Sequence, residues 1–147
     1  VSFRLIHQTL TLKTTQNFEI VDITPHLQSW IEQEKIQAGQ AICIGQHTTT
    51  ALVINEHEER LWQDIQTFLE KLVPADLPYL HNDLHLRTVP EDEPINAHSH
   101  LMALVLGTSI TLPIHQGRLA LGTYQSVLMV ELDGPRSRSI VCQIIGG

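Results

Sequence analysis

The sequence predicts an α+β fold, a largely antiparallel β-structure with about three helices, in one domain over residues 1–147. Three observations lead there. Short apolar, β-branched runs follow one another through glycine-containing turns, which suits antiparallel neighbours. Helical patterns occur at three separate places and do not alternate with every strand, as a doubly wound sheet would require. The length is that of one ordinary domain, enough to bury a core without disulfides or a structural metal.

The elements follow in order. FRLIHQTLTL (3–12) and NFEIVDI (17–23) flank Lys13-Thr14-Thr15-Gln16 and read as a β-hairpin. Thr24-Pro25 supplies an N-cap and a proline at the first helical position, and Gly39 a stop, so residues 25–37 are expected to be helix with Leu27, Trp30 and Ile31 inward. AICIG and ALVIN read as buried strands on either side of HTTT. From Glu58, the spacing of Leu61, Ile65, Phe68, Leu69 and Leu72 predicts a second helix, closed by Pro74. Residues 74–95 hold four prolines and the acidic run 91–93, and read as a long ordered excursion of the kind that is usually functional. Asn96 is expected to cap a third helix, AHSHLMALVL, with Gly107 as its stop and Ala97, Leu101, Leu104 and Val105 as its buried face. SITLPI, RLALG, TYQSVLMVELD and RSIVCQII then supply at least three strands, with His115-Gln116-Gly117 as a three-residue hairpin loop.

Composition narrows the function. Nine Lys and Arg against sixteen Asp and Glu give a net charge of −7, the wrong sign for a general nucleic-acid binder. No apolar run approaches 18 residues, so no membrane span is expected. Val1 opens directly in strand-like sequence, so no secretion signal is expected, and Cys43 and Cys142 sit inside apolar runs as expected buried free thiols. A cytoplasmic protein follows as the expectation. Nucleotide-loop, zincin and nucleophile-elbow motifs are missing.

Nine histidines remain to be explained. In HTTT, the hydroxyls and amides of Thr48, Thr49 and Thr50 at a strand end suit an anion, and His47 suits a metal or a proton; an edge strand of high β-propensity reads equally well. In YLHNDLHLR, His81, Asp83 and His85 are spaced by two, so an extended segment would turn all three to one side. The bland alternative there is a polar loop with solvated histidines. On the third helix, His98 and His100 lie about 200° apart and cannot share one site; periodicity does not choose between them. Glu56, closing ALVIN, is a candidate carboxylate beside HTTT, although charge compensation at a helix start explains it as well. Gln125 and the DGPR turn with Arg136 add late polar groups.

HTTTALVINE, YLHNDLHLRT, NAHSHLMALVLGTSITLPIHQGRLALGTYQ and ELDGPRSR, in this order, closely resemble the UPF0047 or YjbQ-like protein family over essentially the whole chain. Tyr124 stands where that family usually has tryptophan, and His98 is additional to its pattern. The resemblance implies a homotrimer with a metal or anion site, and carries the label of a secondary thiamine-phosphate synthase activity joining a pyrimidine pyrophosphate to a thiazole phosphate. It also implies His47, His81 and His100 as the histidine set.

The expectation is therefore a metal-dependent enzyme acting on a small phosphorylated substrate, of either the thiamine-phosphate or the hydrolase kind. His47, His81 and His100 would hold a divalent ion, zinc by preference, and leave a coordination position open. Glu56 or Asp83 would accept a proton; Thr48, Thr49 and Thr50, with Arg87 or Arg136 and with Gln125, would hold the phosphate. The alternative is a non-enzymatic trimer binding a metal ion or small anion.

Overall fold

A computed structural model describes residues 2–147; Val1, read as opening strand-like sequence, lies outside them. The strands are β1 Arg4–Lys13, β2 Glu19–Asp22, β3 Ala38–Gly45, β4 Thr50–Glu56, β5 Ser109–His115, β6 Arg118–Leu119, β7 Gln125–Glu131 and β8 Ser137–Gly146. The helices are α1 Thr24–Gln33, α2 Glu59–Leu72 and α3 Ala97–Leu106, with two short 3-10 turns at Leu80–Asn82 and Leu84–Leu86. The fold is α+β with antiparallel sheets, as predicted. A five-stranded sheet runs β1-β8-β3-β5-β6 and a three-stranded one β2-β7-β4.

The expected first hairpin does not form. β1 pairs with β8 from Arg4↔Gly146 to Lys13↔Ser137, whereas β2 pairs with β7 in the other sheet. Lys13 to Gln16 carry the chain between sheets: Thr14 N donates to Arg136 O, and the amides of Thr15 and Gln16 both donate to the Glu19 carboxylate. A turn fixed by those partners cannot close a hairpin.

Both ends of α1 differ from expectation. Thr24 Oγ1 accepts from Val127 N at 2.7 Å instead of capping the helix. The helix stops at Gln33, and Lys35, at φ 55, makes the turn. Gly39 is a strand residue, required because a Cβ there would lie 2.0 Å from Ile145 O of the neighbouring strand. The β5–β6 connection is likewise tighter than read: His115 pairs with Arg118, leaving Gln116 and Gly117, both at positive φ, as a two-residue turn.

The three-stranded sheet is covered on both faces, which explains why β7 reads as an unbroken apolar run. Val127 and Met129 face a core shared with α1 (Leu27, Ile31) and with Ile140, Cys142 and Ile144 of the large sheet. Val130, with Leu132 just past β7, packs instead with Leu69 of α2 and with Met102 and Ala103 of α3. Cys43 and Cys142 are cross-strand neighbours, free and buried as predicted. α3 is rotated from the expected face. It buries Ala97, Ser99, Met102 and Ala103, and leaves Leu104 78% and Val105 60% exposed. α2 turns Phe68 and Leu72 outward and buries Leu69. Among the described residues, no helix is long and apolar enough to cross a membrane.

Candidate functional site

Residues 46–49, most of HTTT, are the crossing from β3 of the large sheet to β4 of the small one. β8 and the segment after β7 hold this crossing. Gln46 N donates to Ser139 O, Ser139 N donates to His47 Nε2 at 2.8 Å, and Leu132 N donates to Thr49 O. Only Thr50 is already strand, buried at the start of β4.

Between the sheets at this end lies a buried ion pair. Alternation places Glu131 of β7 and Arg138 of β8 on facing inner surfaces, at 0% and 3% exposure. Arg138 donates through Nε to Glu131 Oε1 at 2.8 Å and through Nη2 to Glu131 Oε2, and Nη2 also reaches Thr49 Oγ1 at 2.9 Å. The remaining lone pairs of Glu131 are filled by Thr14 Oγ1 at 2.7 Å and Asp133 N at 3.1 Å. Burial would raise this carboxyl. The bonds from Arg138, Thr14 and Asp133 outweigh it and set the pKa below the ordinary value of 4.5.

Above this pair opens a polar cleft of about 370 Å³, whose lining includes His47, Thr48, Thr49, Arg136 and Arg138 together with Glu93, Asn96, His100 and Asp133. Arg136 is tied back to Asp133, its Nε to the backbone oxygen at 2.9 Å and its Nη2 to Oδ2 at 3.0 Å. Asp133 Oδ2 also accepts from Asn96 Nδ2 at 2.7 Å. That bond takes the side chain expected to cap α3, and the first amide of the helix, Ala97 N, donates instead to Asn82 Oδ1 at 3.1 Å.

The tautomer of His47 follows from its partner. Nε2 accepts from a backbone amide, so in the neutral ring the proton sits on Nδ1, which can only donate. Burial, then the Arg138 charge, hold His47 below its ordinary pKa of 6.5. Burial and the neighbouring His81 do the same to His100. The His81 and His100 rings meet edge to face with centroids 4.6 Å apart, and His81 Nε2 is buried without a partner.

The sequence-predicted residues divide. His47, Thr48, Thr49, His100 and Arg136 share the cleft. Thr50 and His81 line two more apolar hollows that adjoin it at His100. His81, Asp83 and His85 are not on one extended face, because two 3-10 turns replace the expected strand geometry: His81 turns to His100, and His85 is exposed. Asp83 is a corner between the two turns, its backbone oxygen accepting from Leu86 N, and does not line the cleft. Arg87 stays outside too; it donates to His81 O at 2.8 Å and pairs with Glu93 at 3.5 Å. Glu56 and Gln125 pair with each other at the opposite end of β4 and β7 from Thr50 and Glu131, about 20 Å away for seven residues at a strand's rise. Neither reaches the site. Three histidines in one ligand set are not formed either. Among the described residues, no group of three or more His, Cys, Asp or Glu stands close enough to hold a metal ion.

Sequence reasoning missed Arg138, Glu131, Asp133, Asn96 and Glu93. The first two left a signal: Arg138 is in phase with Ile140, Cys142 and Ile144, and a buried arginine requires a carboxylate such as the one ending SVLMVE.

The YjbQ family model, described as UPF0047 protein YjbQ-like, matches residues 8–147. A UPF0047 protein of Archaeoglobus fulgidus is 43% identical over 136 residues, covering 92% of this chain and 98% of the relative. The UPF0047 protein YugU of Bacillus subtilis is 29% identical, with 95% and 98% covered. Among solved structures, a YbjQ-like protein of unknown function from Sulfolobus solfataricus superposes with a TM-score of 0.89 at 33% identity, covering 99% of this chain and all of that one.

Proposed function

The chain belongs to the UPF0047 YjbQ-like family, and from that premise we propose that the cleft beside the HTTT crossing binds the oxyanion group of a small phosphorylated molecule and that the protein is an enzyme acting on it. The fixed tautomer of His47 carries the reading: a neutral ring whose Nδ1–H can only donate, next to the Thr48 hydroxyl and the Arg136 guanidinium. Such donors complement phosphate oxygens without requiring a proton to be taken up. His100, kept neutral beside His81, is placed to accept a proton from the substrate or from water.

A divalent ion is the second element of the proposal, and the residues fit it in part. His47 does not fit, since its only lone pair is engaged by Ser139 N. His81 and His100 fit as two ligands, because the buried Nε2 of His81 lacks a partner. Bound there, with a third ligand from substrate or from a second copy, the ion would supply positive charge for the phosphate. The lining has no Phe, Tyr or Trp on which a pyrimidine or thiazole ring could stack, so it lends nothing to thiamine-phosphate synthesis.

The homotrimer is also proposed. α3 is apolar on both sides, and its outer residues Leu104 and Val105 need cover; Leu5, Ile42, Ile44 and Ile145 expose a second, different apolar face on the large sheet. Two unlike faces on one chain suit head-to-tail contacts that close into a ring. Leu104→Asp is expected to shift the sedimentation coefficient to that of a monomer.

One observation favours the non-enzymatic alternative: both carboxylates in the lining are tied to arginines, Asp133 to Arg136 and Glu93 to Arg87, leaving no free carboxylate base. Calorimetric titration with inorganic phosphate, with and without zinc, tests the shared part. Binding that weakens about tenfold or more in His47→Ala is expected for a lost hydrogen bond to a charged group. No phosphate binding under either condition would overturn the reading.

A further inference from the structure

Asn96 sets a requirement that an oxyanion alone does not meet. The residue is 6% exposed and lines the cleft, and its Nδ2 donates to the Asp133 carboxylate. A carboxylate can only accept there, so the amide orientation is fixed by chemistry and Oδ1 is the atom left over. Oδ1 is buried and has no partner. A buried acceptor left unpaired costs about 1–3 kcal/mol. A fully ionised phosphate or carboxylate offers only lone pairs and cannot satisfy it.

The charges agree. A second hollow of about 570 Å³ adjoins the first and shares Glu93, Pro94, Asp133 and Arg136 with it, adding Asp92. Together the two are lined by three carboxylates, Asp92, Glu93 and Asp133, against two guanidinium groups, Arg136 and Arg138, with Arg87 pairing with Glu93 from outside the lining. Both guanidinium groups already hold a carboxylate, Arg138 that of Glu131 and Arg136 that of Asp133. A dianion entering this space meets little uncompensated positive charge, in a protein that carries −7 overall. The lining nonetheless carries both kinds of group: donors at His47, Thr48 and Arg136, acceptors at Asn96, Glu93 and Asp92.

We propose that the two adjoining hollows take a small zwitterion, with its oxyanion against His47 and Thr48 and a hydrogen-bond-donating cationic nitrogen against Asn96 Oδ1 and the Asp92–Glu93 carboxylates. An aminoalkyl phosphate is the simplest member of this class. The inference rests on the oxyanion reading of the cleft and names the rest of the ligand.

The test compares two probes on the full chain by calorimetry, 2-aminoethyl phosphate and ethyl phosphate, which differ only in the amine. The wild type is expected to bind the amine at least tenfold more tightly, and the double substitution Asp92→Asn with Glu93→Gln to bring the two affinities together. Equal affinities in the wild type, or a preference that survives the double substitution, would overturn the zwitterion and leave the oxyanion site standing. Binding of neither probe would overturn both.

Discussion

β4 and β7 are paired along their whole length, yet their two ends have different chemistry. At one end Thr50 faces Glu131, both buried, and the chain leaves the sheet as the HTTT crossing. At the other, Asn55 and Glu56 face Ser126 and Gln125, with Asn55 and Gln125 exposed and Glu56 half-buried. Both ends carry a glutamate and an amide or hydroxyl within two residues. Only at the first do Thr14 just after β1, Arg138 of β8 and the Asp133 amide just after β7 converge on one carboxylate. The lesson is that the set of elements meeting at a strand end, more than the local motif, makes the site.

The most direct way to break the contrast is to remove one member of the buried pair. Arg138→Ala leaves Glu131 buried without its cation and Thr49 without its donor. Such losses cost about 3–5 kcal/mol, a large share of a small domain's stability. Urea denaturation should show that loss, together with a loss of phosphate binding, because His47 and Thr49 are held by the same strand start. An Arg138→Ala protein within about 1 kcal/mol of wild type would show that the pair is not what organises this end.

The same contrast explains what could be read in advance. Element order, the α+β class and the three helices followed from periodicity, because apolar spacing reports burial directly. His47, Thr48, Thr49, His100 and Arg136 were legible, the histidines with help from family resemblance. Glu56 was chosen because it is near HTTT in sequence, but a seven-residue strand carries it to the far end. Asn96 was read as a cap, since local bonding is the default for asparagine before a helix; Asp133, 37 residues away, competes for it successfully. Pairings such as Glu131 with Arg138, or Lys13 to Gln16 with both sheets, depend on which sheet each strand joins. Alternation within a strand does not contain that information. His81, Asp83 and His85 went astray for a related reason: spacing by two has meaning only in extended backbone, and this loop is folded into 3-10 turns.

Acidification should sharpen the comparison more gently. His47 and His100 both have folded pKa values below the ordinary 6.5. As pH falls through 6.5, the unfolded chain takes up protons that the folded site resists, so the unfolded state binds more protons and stability declines. The decline ends once pH lies below the folded values. Glu131, held below 4.5, adds its own loss only at lower pH, when the unfolded carboxylate begins to protonate first. Denaturation midpoints between pH 7.5 and 5 therefore isolate the histidines, and His47→Gln is expected to flatten the slope. An unchanged slope in that variant would place the titration elsewhere in the molecule.

The smallest effect is expected at the other end of the same strands. Glu56 keeps its structural contacts through its backbone: Glu56 O accepts from Trp62 Nε1 at 3.0 Å and Glu56 N donates to Asn55 Oδ1 at 2.8 Å. Glu56→Gln preserves both, so unfolding free energy should stay within about 0.5 kcal/mol of wild type. Phosphate affinity, and turnover once a substrate is known, should likewise be unchanged, since about 20 Å separates this carboxylate from the cleft at a strand's rise. A large loss of turnover in Glu56→Gln with stability intact would require the carboxylate to reach a reacting group. Within one chain the β4–β7 register forbids that. Such a result would therefore place Glu56 against the site of a neighbouring copy, and the two ends of the strand pair would then belong to two different active sites.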